Sequence, residues 1–90
     1  MTTIPHLQVT YQRGRFLAAY LYLPRREGDR SARTEETKTG LVVDFAEDGR
    51  AIGVEILNPR NLDLSDLNAI LKNNGQPPLT KEDVAPILAA

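Results

Sequence analysis

Leu7, Val9 and Tyr11 alternate with Gln8, Thr10 and Gln12. Period two in β-forming residues predicts a half-buried strand. Arg13-Gly14 follows as a two-residue turn, because glycine reaches positive φ cheaply. That turn sets Tyr11 opposite Phe16, Val9 opposite Ala18 and Leu7 opposite Tyr20. The other face of residues 15–23 carries Leu17, Ala19, Leu21 and Leu23. A strand apolar on both faces belongs in a sheet interior, covered on both sides. Pro24 ends it.

Residues 25–36 contain no large apolar side chain and are expected to form a solvated polar loop. Alternation returns with Leu41, Val43 and Phe45, then the turn Glu47-Asp48-Gly49-Arg50, then Ile52, Val54 and Ile56. An even loop pairs Phe45 with Ile52, Val43 with Val54 and Leu41 with Ile56, and puts every apolar side chain on one face. A three-residue loop pairs Phe45 with Ala51 and Val43 with Gly53 instead, so the even loop is expected.

The period then lengthens. Leu64, Leu67, Ile70 and Leu71 form a helical stripe, with Asp63 or Ser65 as the cap and Asn73-Asn74-Gly75 as the stop. A second short helix follows Pro77-Pro78. Thr80 with Asp83 resembles a capping box, and Leu79 with Val84 a hydrophobic staple. Pro86 lies deep in a helix capped by Thr80 but in the first turn of one capped by Asp83, which leaves that boundary open. The expected fold is α+β: a four-stranded antiparallel meander of two β-hairpins, with one or two short C-terminal helices packed on one face. Residues 1–90 read as a single domain, divided into a β-meander (7–58) that contains the polar loop (25–36), and a C-terminal helical extension (62–90).

Composition narrows the chemistry. The 90 residues include no cysteine and one histidine, His6, which excludes disulfides, thiolate sites and zinc centres built on several imidazoles of one chain. The two serines, Ser31 and Ser65, lack the surroundings of a nucleophile, and the glycines form no phosphate-binding fingerprint. No apolar run is long enough to span a bilayer, and Met-Thr-Thr-Ile-Pro-His is not a leader sequence, so a cytoplasmic protein with no membrane partner is expected. Net charge is −1, which argues against nucleic acid as a partner. Six bases against four acids leave +2 in residues 1–36, and five against eight leave −3 in residues 37–90.

The segment Leu41–Leu57, with Asp44, Gly49, Gly53 and Glu55 at marked positions, resembles the signature hairpin of the YuzE-like family, small bacterial domains of unknown function. Tyr11 and Ala19-Tyr20-Leu21 fit the family's first hairpin, whereas Gln12, Arg13, Gly14 and Arg15 replace its acidic turn. The similarity spans about residues 7–58. It implies a fold rather than an activity. Members often occur beside small toxin-like proteins, which implies an antitoxin-like or partner-binding role.

Three constellations carry possible chemistry. In the even register Asp44 opposes Gly53, and Glu55 is its diagonal neighbour, about 7–8 Å away at Cα. Such a pair suits acid–base work or a divalent ion, and equally two solvated strand acids. Tyr11, Phe16, Tyr20 and Tyr22 cluster in one hairpin, as a stacking platform or, more simply, as core or interface. Arg13 and Arg15 form one basic cluster, and Arg25, Arg26, Arg30 and Arg33 another, diluted by Glu27 and Asp29. Strand 51–57, with Glu55 its one charge, would make an apolar sheet edge inviting a second copy. The expected function is a non-enzymatic, homo-oligomeric interaction module that binds itself and a small partner protein. No cofactor, metal or catalytic residue is assigned. The competing expectation is an enzyme or divalent-metal site on Asp44 and Glu55.

Overall fold

The computed structural model describes residues 6–12, 15–57 and 61–88, with the side chains of 10–12, 15–18 and 86–88 excepted. Among these residues, five strands precede two helices: β1 (His6–Gln12), β2 (Arg15–Tyr22), β3 (Arg33–Glu36), β4 (Leu41–Phe45), β5 (Ala51–Ile56), α1 (Leu64–Asn73) and α2 (Lys81–Leu88). All strand pairings are antiparallel, in the order β1-β2-β5-β4-β3. The architecture is α+β as expected, but the sheet has five strands rather than four and is not a meander.

Both differences have one cause. β5 is buried at every position except Glu55. It takes the centre, between β2 and β4, where both its edges are paired. β4 then needs a second neighbour, and residues 33–36, expected to belong to the polar loop, supply it as β3. Arg33-Thr34-Glu35-Glu36 is fully exposed and heavily charged, the composition that protects a sheet edge from further pairing. The apolar edge expected at residues 51–57 therefore does not exist, and the argument for self-association built on it falls.

Each hairpin register departs by one residue from expectation. In β1–β2, Tyr11 pairs with Phe16 as expected. A shift between Thr10 and Tyr11 then sets Val9 opposite Ala19 and Leu7 opposite Leu21, in place of Ala18 and Tyr20. The extra residue aligns the apolar rows of the two strands on the core face. The turn expected at Arg13-Gly14 lies outside the described residues. In β4–β5, Leu41 pairs with Ile56 and Val43 with Val54, but Phe45 meets Ala51 rather than Ile52. The loop closes on three residues: Gly49 N donates to Ala46 O at 2.9 Å, Ala46 N donates to Arg50 O at 2.8 Å, and Gly49 has φ +92°. A type I turn followed by a left-handed glycine suits Asp48-Gly49. The bulge between Asp44 and Phe45 returns the register to the one the apolar pattern requires.

The helices cover the face formed by Ala19, Leu21, Val43, Val54 and Ile56, adding Leu67, Leu71 and Val84, each fully buried. Asp63, not Ser65, caps α1, accepting from Asp66 N at 3.2 Å. Gln76 N closes its far end on Leu71 O, with Gly75 at φ +72°. The Thr80–Asp83 capping box forms in both directions, so Thr80 caps α2 and Pro86 lies within the helix. Asn68 ties the helices together, donating to Leu79 O at 3.0 Å and accepting from Leu79 N at 2.8 Å. Among the described residues, no helix is long and apolar enough to cross a membrane.

Candidate functional site

Strand alternation decides what the uncovered face of the sheet displays. The pairings align His6, Tyr22, Gly53, Asp44 and Thr34 in one row across the sheet. The adjacent row holds Gln8, Tyr20, Glu55, Val42 and Glu36. Tyr20, Tyr22, Val42, Asp44 and Glu55 are partly exposed, so this face remains open to solvent.

Its centre is a side-chain arrangement spanning three strands. Gly53 lacks a Cβ where one would collide with the Tyr20 ring. The ring therefore lies across β5, and its hydroxyl donates to Asp44 Oδ2 on β4 at 2.5 Å. Arg25 closes the arrangement from the chain beyond β2. Its Nη2 donates to Tyr20 Oη at 3.2 Å, its Nε donates to Ile52 O at 3.1 Å, and its guanidinium lies 5.1 Å from the Tyr22 ring centroid. The Tyr20 and Tyr22 ring centroids are 4.6 Å apart, and His6 stands 6.0 Å from Tyr22. Burial, reinforced by the hydrogen bond and charge of Asp44, pushes the Tyr20 phenol well above its ordinary value, and Arg25 opposes this only in part.

Asp44 and Glu55 stand where the sequence places them, on one face, with Asp44 opposite Gly53. Asp44's bonded partner is Tyr20, while Glu55 sits in register with Tyr20 one row away. No group of three or more potential metal ligands occurs among the described residues. Of the expected aromatic cluster, the Tyr20 and Tyr22 side chains are brought together, and those of Tyr11 and Phe16 lie outside the described side chains. The Tyr20–Gly53 contact was missed in the sequence. Its signal was present, since glycine inside an apolar strand marks a close approach.

The crossover from β2 to β3 is pinned to the sheet. Leu23 N donates to Ile52 O at 3.1 Å and Ala32 N to Phe45 O at 2.8 Å. Between them, Arg26 N donates to Asp29 Oδ2 at 2.8 Å, and Asp29 Oδ1 accepts from Arg50 Nη2 at 2.7 Å. Arg50 also donates from Nε to Asp48 at 2.7 Å. These hydrogen bonds hold the Asp29 and Asp48 carboxyls below their usual range and raise Arg50. Arg33 leaves the basic cluster altogether and lies over Phe45, 4.2 Å from its centroid.

No curated protein and no solved structure matches the chain. Residues 18–59, from β2 to just beyond β5, match the model of a protein family of unknown function, DUF2283, and this match includes the hairpin on which the sequence resemblance rests.

Proposed function

We propose that the protein is a non-enzymatic interaction module that pairs with a second copy of itself through the open sheet face. The observation that carries this reading is the composition of that face. One half, on β1 and β2, presents His6, Gln8, Tyr20, Tyr22 and the neighbouring Arg25. The other half, on β5, β4 and β3, presents Glu55, Val42, Asp44, Thr34 and Glu36. A two-fold axis through the face lays the aromatic, cationic half of one copy on the acidic half of the other, which is what an isologous interface requires. Tyrosine and arginine are also the residues most enriched where binding energy concentrates. Hydrogen bonds fix Tyr20 and Arg25 before any partner arrives, which lowers the entropy lost on association. A phenol held in its protonated form and a carboxylate already bonded to it favour a fixed surface over acid–base chemistry.

Light scattering at tens of micromolar tests the reading. A dimer is expected for the wild type, and a monomer with an unchanged circular dichroism spectrum for Tyr22→Glu. A monomeric wild type overturns it. A different small protein that co-purifies at one-to-one stoichiometry and is lost in Tyr22→Glu replaces the second copy as occupant, in line with the partner-binding role implied by the family resemblance.

A further inference from the structure

At the tip of the β4–β5 hairpin, a cleft of about 700 Å³ opens between the crossover loop and the end of α1. That volume falls in the range of small-molecule sites. Its wall is cationic in a chain whose net charge is −1. Arg25, Arg26 and Arg50 line it against one carboxylate, Asp48. Arg50 is compensated, because Asp48 and Asp29 hold its Nε and Nη2. Arg25 and Arg26 have no direct carboxylate partner, although Arg25 reaches Asp44 through the Tyr20 hydroxyl and Arg26 lies near Asp29. Among the described residues, Arg25 donates only to the neutral Ile52 carbonyl and Tyr20 hydroxyl, and neither arginine makes an ion pair. Arg25 is nevertheless held on one edge, and among the described residues its Nη1 has no partner.

The helix end on the opposite wall does not cancel this charge. A helix C-terminus normally repels anions through its exposed carbonyls. Here Leu71 O accepts from Asn74 N and Gln76 N, and Lys72 O from Gly75 N. Asn73 and Gln76, whose side chains carry amide donors, line the same wall.

We propose that this cleft binds a small phosphate-bearing molecule. Arg25 and Arg26 bracket the phosphate, Arg50 fixes the loop that presents them, and Asn73 and Gln76 contact the ligand's polar body. Two guanidiniums without carboxylate partners match a dianion in charge, and their forked donors match the geometry of phosphate oxygens. The site adjoins the self-association face and shares Arg25 with it.

Inorganic phosphate is the probe, titrated near neutral pH into labelled protein at constant ionic strength, with chloride and acetate as comparison salts. Saturable amide shifts at Arg26, Gly49, Asn73 and Gln76 are expected with phosphate and not with chloride or acetate. Arg26→Ala, at an exposed position, should weaken binding about tenfold or more. Arg33→Ala, outside the cleft, should leave it unchanged. The proposal is overturned by shifts no larger with phosphate than with chloride, by equal response to acetate, or by equal loss in both variants. Because Arg26 is not on the open sheet face, a failure here leaves the dimer measurement unaffected.

Discussion

Gly53→Ala isolates the contact on which the open face is built. A Cβ at position 53 would overlap Tyr20 Oη and Cζ and come to 2.5 Å from Cε1, so the rigid ring must leave. Gly53 has no positive φ, so the clash is the whole cost and backbone strain adds nothing. When the ring leaves, its bond to Asp44 at 2.5 Å and its bond from Arg25 at 3.2 Å are both lost. A hydrogen bond to a charged group contributes about 1.5–3 kcal/mol. Removing glycine from a strand returns about 0.5–1 kcal/mol. Counting the Asp44 bond alone, the balance is a loss of about 0.5–2.5 kcal/mol. For a chain of this size that corresponds to a fall in Tm of roughly 2–20 °C, read by thermal circular dichroism. The cause is checked in a second background. In Tyr20→Ala there is no ring to displace, and adding Gly53→Ala should be neutral or stabilising. In Tyr20→Phe, Cζ and Cε1 remain, and the penalty should persist in part. Gly53→Ala as stable as the wild type, or equally harmful in Tyr20→Ala, would refute the reasoning.

Other outcomes follow from the same geometry. The Tyr20 phenol has a raised pKa in the folded state, so the native protein keeps a proton that the unfolded chain releases. The stability from this group is fully present below about pH 10, the ordinary tyrosine value, and is lost as pH rises from there toward the folded value. Phenolate absorbance of the wild type minus that of Tyr20→Phe should therefore appear well above pH 10 or only on unfolding, and a transition at the ordinary value refutes this. Asp29 and Asp48 have the opposite sign: their lowered pKa gives stability that is present above the ordinary carboxylate range and lost as pH falls through the folded values. In Arg50→Gln both carboxyls should titrate closer to their ordinary value by NMR, and unchanged curves would show that Arg50 is not the cause. Asn68→Ala removes both bonds to Leu79 and should cost about 1–3 kcal/mol. Faster amide exchange is expected in α2 with β5 still protected, and uniform loosening of both would contradict the local role.

What the sequence discloses and what it conceals divide along the range of the forces involved. Local signals were readable. Period-two alternation located β1, β2, β4 and β5, the Asn-Asn-Gly stop ended α1, and capping residues narrowed each helix start to two candidates, of which Asp63 and Thr80 cap. Non-local choices were not. Nothing in β4 or β5 alone says which of them β2 will pair with, because both are apolar enough to sit inside. β3 could not be read from Arg-Thr-Glu-Glu, since an exposed edge strand owes its form to a neighbour's unpaired backbone and not to its own side chains. The second hairpin shows two local demands in conflict. The turn residues favoured three in the loop, the apolar pattern required the even register, and the chain met both by bulging at Ile52.

Asp44 and Glu55 were legible as a pair on one face, because alternation and register alone fix that placement. Their surroundings were not, because Tyr20 arrives from a strand more than twenty residues earlier in the chain, through a strand order that the local pattern does not encode. Gly53 bridges the two scales. In an interior strand whose other positions carry alanine, valine, isoleucine or glutamate, a missing side chain is a local anomaly with a non-local cause. That cause is the aromatic ring crossing it, and the ring's hydroxyl then bonds Asp44 rather than Glu55.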